Sequence, residues 1–314
     1  MSDGARSIAV HGLLLAALAA GAFLLPDYHH GVLARVMVLS IYAAGYNILF
    51  GYTGLLSLGH ALFFAAGMYG MGLAITQYGA GPGAALLAGL IAGIAVAAAL
   101  GLLALRTTGV AFMIVTLMFA QAGYLTILYF APLTHGDEGF VLQGAQRLLF
   151  GFDLSEAGLR YWAALILFAA VLIGVLVLVR SRFGRVLVAI RENEERARML
   201  GYDTFAHKLG AVVISGGIAA LAGAAYGLLF GYVGATFASV QYSIFPLLWV
   251  LLGGAGTVIG PFLGTLFMFY LIDLSSGYTS AYMLIAGVVL VALTLFAPQG
   301  LAGEVRRRIW RGLP

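Results

Sequence analysis

The sequence predicts an all-α polytopic membrane protein of about ten transmembrane helices, some broken or half-length, with both termini cytoplasmic. Three observations carry that expectation. Hydrophobic residues fill 62% of 314 positions and charged residues 9%, at a mean hydropathy of +1.03. A soluble domain is roughly half apolar and about a quarter charged, so a soluble fold has no place for this much apolar surface. Apolar runs also recur along the whole chain, and its positive charge collects on one side of the resulting topology.

A hydrocarbon core about 30 Å thick takes roughly 20 apolar residues per helix. The runs lie at Ile8–Leu25, Val32–Phe50, Ala61–Thr76, Ala84–Leu105 and Val110–Phe130. They continue at Tyr161–Val179, Lys208–Val233, Ile244–Leu252, Pro261–Leu274 and Tyr282–Ala297. The first ends near "ALAAGA", which resembles a signal cleavage site, but its apolar stretch exceeds a usual signal core and predicts a retained helix. The eighth and ninth are short and joined by "GGAGTVIGP", which makes one a candidate half-helix or re-entrant segment. The whole of 1–314 reads as one transmembrane domain, with an outer loop at 131–159 and an inner loop at 181–207.

Charge tests the count. With both termini inside, Arg6, Arg106, Arg180, Arg182, Arg185, Arg191, Arg196, Arg198, Lys208, Arg306, Arg307, Arg308 and Arg311 fall on the inner side. Only Arg35, Arg147 and Arg160 fall outside. That is the positive-inside asymmetry, and merging or dropping one span destroys it. The net charge of +4 therefore reports membrane orientation, and nucleic acid is not an expected partner.

Seven charged side chains crowd into the inner loop between Arg191 and Asp203: Arg191, Glu192, Glu194, Glu195, Arg196, Arg198 and Asp203. "RVLVAIRENEERARML" reads as one helix, with Glu192→Arg196 and Glu194→Arg198 as i,i+4 pairs in the favourable order. Val186, Ile190, Ala197 and Leu200 add an apolar stripe. Gly201 suits a helix stop, and Asp203 or Thr204 a cap for the next helix. The bland alternative is a solvated connector; the functional one is a docking helix for a cytoplasmic partner.

Several chemistries are missing. No G-x-x-x-x-G-K-[ST] phosphate loop and no H-E-x-x-H occurs, and "GGAGTVIG" lacks dinucleotide-loop spacing. "GLLSLGHALF" pairs serine with histidine but has no nearby acid to orient a base. His29–His30 reads as two solvated histidines, with a metal pair as the alternative. The absence of cysteine excludes disulfides and thiolate metal sites. No cofactor and no catalytic residue is expected. Apart from Asp273, near an outer end, the spans carry no carboxylate to couple protons or sodium. Energy then comes from elsewhere, or substrate moves passively.

Specific stretches now become recognisable. "RENEERARMLGYDTFAHKLGAVVISGGIAALAGAAYG" resembles the cytoplasmic loop and following helix of branched-chain amino acid ABC importer permeases of the LivM type. "GYTGLLSLGHALFFAAGMY", "FMIVTLMFAQ", "LLGGAGTVIGPFLG" and "LFAPQGLAG" are similar to further motifs of that family, in order, over roughly 40–303. The resemblance implies a permease subunit in a bacterial cytoplasmic membrane. It also implies a second, LivH-like permease, two cytoplasmic ABC ATPases and a periplasmic solute-binding protein. By position it makes Arg191–Gly201 the ATPase-coupling helix, with Arg191, Glu194, Glu195, Arg196, Ala197 and Gly201 as its key residues. Three departures bear on the substrate. Leu55 stands where the family often has glutamine, and Gln121 where it has an acid. His135 replaces a glycine in the T-G-G-x-[DN]-G pattern.

Gly51, Gly54 and Gly59 interrupt two apolar runs, and non-helical backbone at membrane depth survives only inside protein or along a watery path. Asn47, Thr53, Ser57 and His60, then Thr116 and Gln121, are therefore path candidates; the alternative is that they bond neighbouring helices. Gly223, Gly227 and Gly231, and Gly256, Gly260 and Gly264, recur at the small-xxx-small spacing of close helix packing. The leading expectation is an ATP-driven importer permease for branched-chain or related amino acids. Urea, amide or aromatic-acid transport is the alternative within the family, and a stand-alone channel is the alternative outside it.

Overall fold

The computed structural model describes residues 3–149, 151–279, 281–297 and 299–308. Arg311 of the inner-side charge set lies outside the described residues, as do the side chains of Arg6, Arg306, Arg307 and Arg308. The fold is overwhelmingly helical: α1 (Asp3–Leu24), α2 (Asp27–Asn47), α3 (His60–Tyr78), α4 (Pro82–Ala104), α5 (Val110–Tyr129), α6 (Ala131–Thr134) and α7 (Ala157–Arg180). After these come α8 (Arg182–Glu192), α9 (Glu194–Met199), α10 (Thr204–Phe230), α11 (Val240–Gly253), α12 (Gly260–Ser276), α13 (Tyr282–Phe296) and α14 (Gly300–Arg308). Four two-residue strands make two small antiparallel ladders. β1 (Phe140–Val141) pairs with β4 (Tyr232–Val233), and β2 (Leu148–Leu149) with β3 (Phe152–Asp153).

Five stretches are long and apolar enough to cross a membrane: Asp27–Tyr52, Pro82–Ala104, Val110–Tyr129, Ala157–Arg180 and Thr204–Phe230. Burial sorts them. The first is 94% buried over its apolar window and the third only 17%, so α2 is the central post and α5 stands at the periphery. Leu87 and Ile91 on α4, Met118 and Leu125 on α5, and Ile166 and Val177 on α7 are exposed. Apolar side chains can point outward in this way because lipid tails solvate them as well as a core would. α1 lies against α7, where Tyr161 donates its hydroxyl to the Leu18 carbonyl at 2.7 Å.

Glycine sets the spacing at the centre. A Cβ on Gly223 of α10 would land on the Phe64 carbonyl oxygen of α3, and one on Gly67 of α3 would land on the Ala220 carbonyl of α10. The two helices touch backbone to backbone at both points. Gly264 of α12 meets the Trp249 carbonyl of α11 in the same way. Two of the six spaced glycines do other work, which corrects the packing expectation. Gly231 ends α10 at φ +72, because Tyr232–Val233 leave the helix to pair with β1. Gly256 sits at φ +76 in the turn between α11 and α12.

Two further expectations are corrected in the inner loop. The charged segment is two helices, split at Asn193, whose backbone is extended (φ −163, ψ 103) and whose side chain accepts the Arg196 amide at 2.8 Å. A local cap outcompetes helix continuation there. The break separates Glu192 from Arg196, while Glu194 and Arg198 pair at 3.3 Å. Val186, Ile190 and Ala197 form a small buried cluster of their own, but Leu200 is 70% exposed and leaves the stripe. Gly201 turns the chain at φ +87 and Asp203 caps α10 by accepting the Ala206 amide at 3.0 Å. At the outer side, His135 stands at φ +59, a non-glycine in the left-handed region. That conformation is why a glycine suits the position.

Substituting Gly223→Val forces α3 and α10 apart and should destabilise the protein by about 1–3 kcal/mol or more. Gly174, exposed on α7 with no atom near its absent Cβ, is the control. Gly174→Val should stay within roughly 0.5 kcal/mol. Thermal unfolding of the detergent-solubilised variants reads the difference, and equal losses would refute the backbone contact.

Candidate functional site

Five of the six path candidates converge on the C-terminal end of α2. After Asn47 the helix widens into a π turn (Ile48–Tyr52) and then breaks into non-helical backbone over 53–59. This stretch climbs back beside α2, with Gly54 and Leu55 amides on the Phe50 and Leu49 carbonyls at 3.2 and 3.0 Å. Tyr46 donates to the Ser57 carbonyl at 3.0 Å, and Thr53 to the Ile48 carbonyl at 2.9 Å. Thr116 of α5 accepts the Leu58 amide at 3.1 Å and donates to Met113. Ser57 takes the Gly59 amide, and Ser243 of α11 takes the Ala61 amide at 3.0 Å. Most of these bonds feed backbone groups of the broken stretch and the start of α3 that helix geometry has abandoned.

Asn47 ties this end of α2 to the turn between α11 and α12. Its amide donates to the Thr257 carbonyl and its oxygen accepts the Gly256 amide, each at 2.9 Å. Gly51 lies under that bridge, and a Cβ there would collide with the Asn47 oxygen. His60 begins α3 fully buried. Its Nε2 lies 3.0 Å from Ser215 Oγ, and Ser215 spends its own proton on the Gly45 carbonyl at 2.5 Å. That arrangement assigns the imidazole proton to Nε2 and leaves Nδ1 as an acceptor without a hydrogen-bond partner. Asn47, Thr53, Ser57, His60 and Thr116 are therefore all buried and bonded to neighbouring structure, whereas Gln121 is exposed on α5. Leu55 is half-buried in the broken stretch.

The charged α8–α9 segment meets the same joint. Arg191, at the end of α8, donates from Nη1 to the Gly51 carbonyl. Its aliphatic stem lies beside Gly54, and its guanidinium lies beside Gly256. At α9, Glu194 pairs with the buried Lys208 of α10 as well as with Arg198. Burial pushes the Glu194 carboxyl up, but the Lys208 ammonium, the Thr204 hydroxyl and the Arg198 guanidinium outweigh it and hold it below its ordinary value. A depressed acid stabilises the fold above its unfolded-state pKa and loses that contribution as pH falls through the folded one. The anchor is therefore intact at neutral pH and released only in acid. Glu195, Arg196, Arg198, Met199 and Leu200 face outward. An open recess of about 650 Å³ beside them is lined by Arg182, Arg185, Val186, Ala189 and Tyr202.

Sequence reasoning missed four participants. Asn193 announces itself only as an asparagine before two glutamates, an ordinary cap signal inside an apparently continuous helix. Lys208 and Ser243 carry no local signal. Tyr42 donates to the Tyr242 carbonyl at 3.0 Å, the acceptor that Pro246 orphans four residues later in α11. At the outer ends, His29 meets the Tyr270 hydroxyl at 3.1 Å and His30 lies 3.6 Å from Asp27. Among the described residues no group of three His, Asp or Glu side chains could hold a metal.

Comparison with known proteins follows the same lines. The family model "Branched-chain amino acid transport system / permease component" matches residues 29–297. The chain is 30% identical to the high-affinity branched-chain amino acid transport system permease protein LivM of Escherichia coli K12, over 87% of this chain and 69% of that one. A probable branched-chain amino acid transport permease LivM of Methanocaldococcus jannaschii is 32% identical over 40% of this chain and 41% of its own length. The autoinducer 2 import system permease LsrC of Photorhabdus laumondii is 32% identical over 38% of each chain. No solved structure matches.

Asn47→Ala removes two bonds and leaves a buried amide and carbonyl without partners, so it should cost about 2–4 kcal/mol. Gly51→Ala, which displaces the Asn47 side chain, should cost a similar amount. A double variant no worse than either single one would confirm that both act through the same bridge. Additive losses in thermal unfolding would count against it.

Proposed function

The chain belongs to the LivM-type family of branched-chain amino acid transport permeases, and we propose that it forms the translocation path of an ATP-driven importer for branched-chain or related amino acids. In this reading it is a transport subunit rather than an enzyme. It works in a bacterial cytoplasmic membrane with a second, LivH-like permease, two ABC ATPases and a periplasmic solute-binding protein. α1 to α5, α7 and α10 to α13 serve as the ten spans, with both termini cytoplasmic.

The observation that carries the proposal is the anchoring of α8–α9. A solvated connector needs no bond to the transmembrane core, yet Arg191 holds the end of α2 and Lys208 ties α9 to α10. A push on α9 is therefore delivered to α2, α10 and the α11–α12 turn as one displacement. Glu195, Arg196 and Arg198 offer charges that set register with an ATPase surface. Exposed Met199 and Leu200 supply the apolar contact, and the recess beside Arg182 and Arg185 accepts an acidic or apolar side chain. Ala197 and Gly201 keep the segment compact. At the other end of this lever, Asn47, Thr53, Ser57, His60 and Thr116 border the path. They hold the joint that opens it, while Gln121 lies on the exposed face of α5 with Met118 and Leu125.

Reversing Glu194 and Glu195 to lysine should lower substrate-stimulated ATP hydrolysis by the assembled complex at least about tenfold, with assembly preserved. Because Glu194 has a partner, Glu194→Lys with Lys208→Glu should restore part of the loss; unchanged stimulation in the first variant defeats the coupling assignment. A stand-alone channel makes the opposite forecast for the isolated chain. Proteoliposomes holding this chain alone should pass no leucine, and rapid downhill flux would favour the channel.

A further inference from the structure

The three basic residues on the outer side converge on one place, the end of α10. Arg147 is spent on backbone, its Nε donating to the Leu228 carbonyl at 2.8 Å and its Nη2 to the Leu154 carbonyl at 3.0 Å and to the Leu229 carbonyl. It thereby satisfies the carbonyls that a helix C-terminus leaves open. The other two are not spent. The guanidinium carbons of Arg35 and Arg160 lie 5.3 and 5.6 Å from the centroid of the same Phe230 ring. Among the described residues no carboxylate lies within ion-pair distance of either, and Arg160 Nε is buried without a hydrogen-bond partner. Arg35 is exposed within the best-buried stretch of the fold, with Ala34 and Val36 inaccessible on either side.

Two like charges at one aromatic ring repel, and cation–π contact returns only about 0.5–1 kcal/mol each at open sites. An anion arriving between them would relieve the repulsion and take charge-assisted hydrogen bonds from both. The surroundings describe the rest of such a ligand. Half-buried aromatic rings continue inward from Phe230: Tyr226 at 4.6 Å, then Phe237 at 5.1 Å and Tyr242 at 4.9 Å, centroid to centroid. Tyr242 stacks on Tyr42 at 6.2 Å, and Tyr42 lies 6.0 Å from His60 at the inner joint. The rings thus form a column from Phe230 to the broken stretch.

We propose that Arg35 and Arg160, over Phe230, form an outer recognition site for the carboxylate of an apolar amino or carboxylic acid, whose hydrocarbon part lies on Tyr226 and Tyr242. The inference rests on the permease reading and narrows it. Urea, neutral amides and uncharged signalling molecules offer nothing to two guanidinium groups. An α-ammonium group meets no acid here and rests on ring faces, so the carboxylate is the discriminating group. A phosphate of an anionic lipid shares that charge and is the competing source.

The test uses the assembled complex in nanodiscs and saturation-transfer NMR, which detects weak binding, with isovalerate and its neutral isostere isovaleramide as probes. In phosphatidylcholine discs isovalerate should bind at least about tenfold more tightly than the amide, the worth of one charge-assisted hydrogen bond. Arg35→Gln should erase that preference, Arg35→Lys should keep part of it, and Arg160→Gln should behave like Arg35→Gln. Equal binding of the two probes, or a preference that survives Arg35→Gln, overturns the site. Loss of isovalerate binding when phosphatidylglycerol replaces phosphatidylcholine assigns the arginines to lipid phosphate and overturns the substrate assignment. Unchanged probe binding with weakened capture of the solute-binding protein by both glutamine variants also overturns it, in favour of docking. ATP-driven leucine uptake by the unmodified complex is scored separately, so failure of the permease reading is distinguishable from failure of the site.

Discussion

Backbone stripped of its helix within a membrane-spanning fold needs other partners for its polar groups, and residues 53–59 impose that demand on the helices around the C-terminal end of α2. Wherever the bilayer excludes water, each unsatisfied group costs several kcal/mol. The structure meets the demand with side chains from three directions: Tyr46 from α2, Thr116 from α5 and Ser243 from α11. Once those contacts are required, the helices that supply them are fixed in depth and rotation. The Asn47 bridge then fixes the α11–α12 turn against α2 by the same logic. A break in one helix thus organises the packing of four.

The same joint explains why a few charges sit where they do. Arg191 can reach the Gly51 carbonyl because the π turn presents that carbonyl away from the α-helical ladder. Glycine at 51 and 54 leaves room for the approach. Lys208 is buried but paired with Glu194, whose other partner is the exposed Arg198, so the charge is compensated without being isolated. Buried pairs of this kind add little net stability but are costly to break, so the contact fixes α9 against α10. The outer arginines show the contrasting arrangement, with one cation satisfied by carbonyls and two left facing an aromatic wall.

Much of this was legible in the residues, for identifiable reasons. The apolar runs located the helices to within a few positions, and five of them are long and apolar enough to cross a membrane, because the length of such a helix is imposed by the bilayer. Gly201 and Asp203 marked a stop and a cap, because both act on backbone within a turn of themselves. Errors came where a local signal competed with a longer pattern. Asn193 divides a stretch whose helical periodicity runs straight through it, and Leu200 falls off the stripe as a result. Gly231 and Gly256 share the spacing of packing glycines but serve turns, since spacing records where a residue lies along the chain and carries nothing of its φ.

By itself the sequence determined that this is a multi-pass helical membrane protein, that its second apolar run breaks in the glycine-rich stretch after Asn47, and the family it belongs to. Those properties depend on composition, hydrophobic length and short-range motifs, which neighbouring residues settle among themselves. Only the tertiary structure decided that the polar residues of the break bond backbone in this conformation, that Arg191 and Lys208 anchor the α8–α9 segment, and that Arg35 and Arg160 meet over Phe230. The partners in those contacts are separated by 140, 14, 195 and 70 positions in the chain. Contacts of that range are set by how helices pack, through glycine contacts and backbone demands distributed over the whole fold.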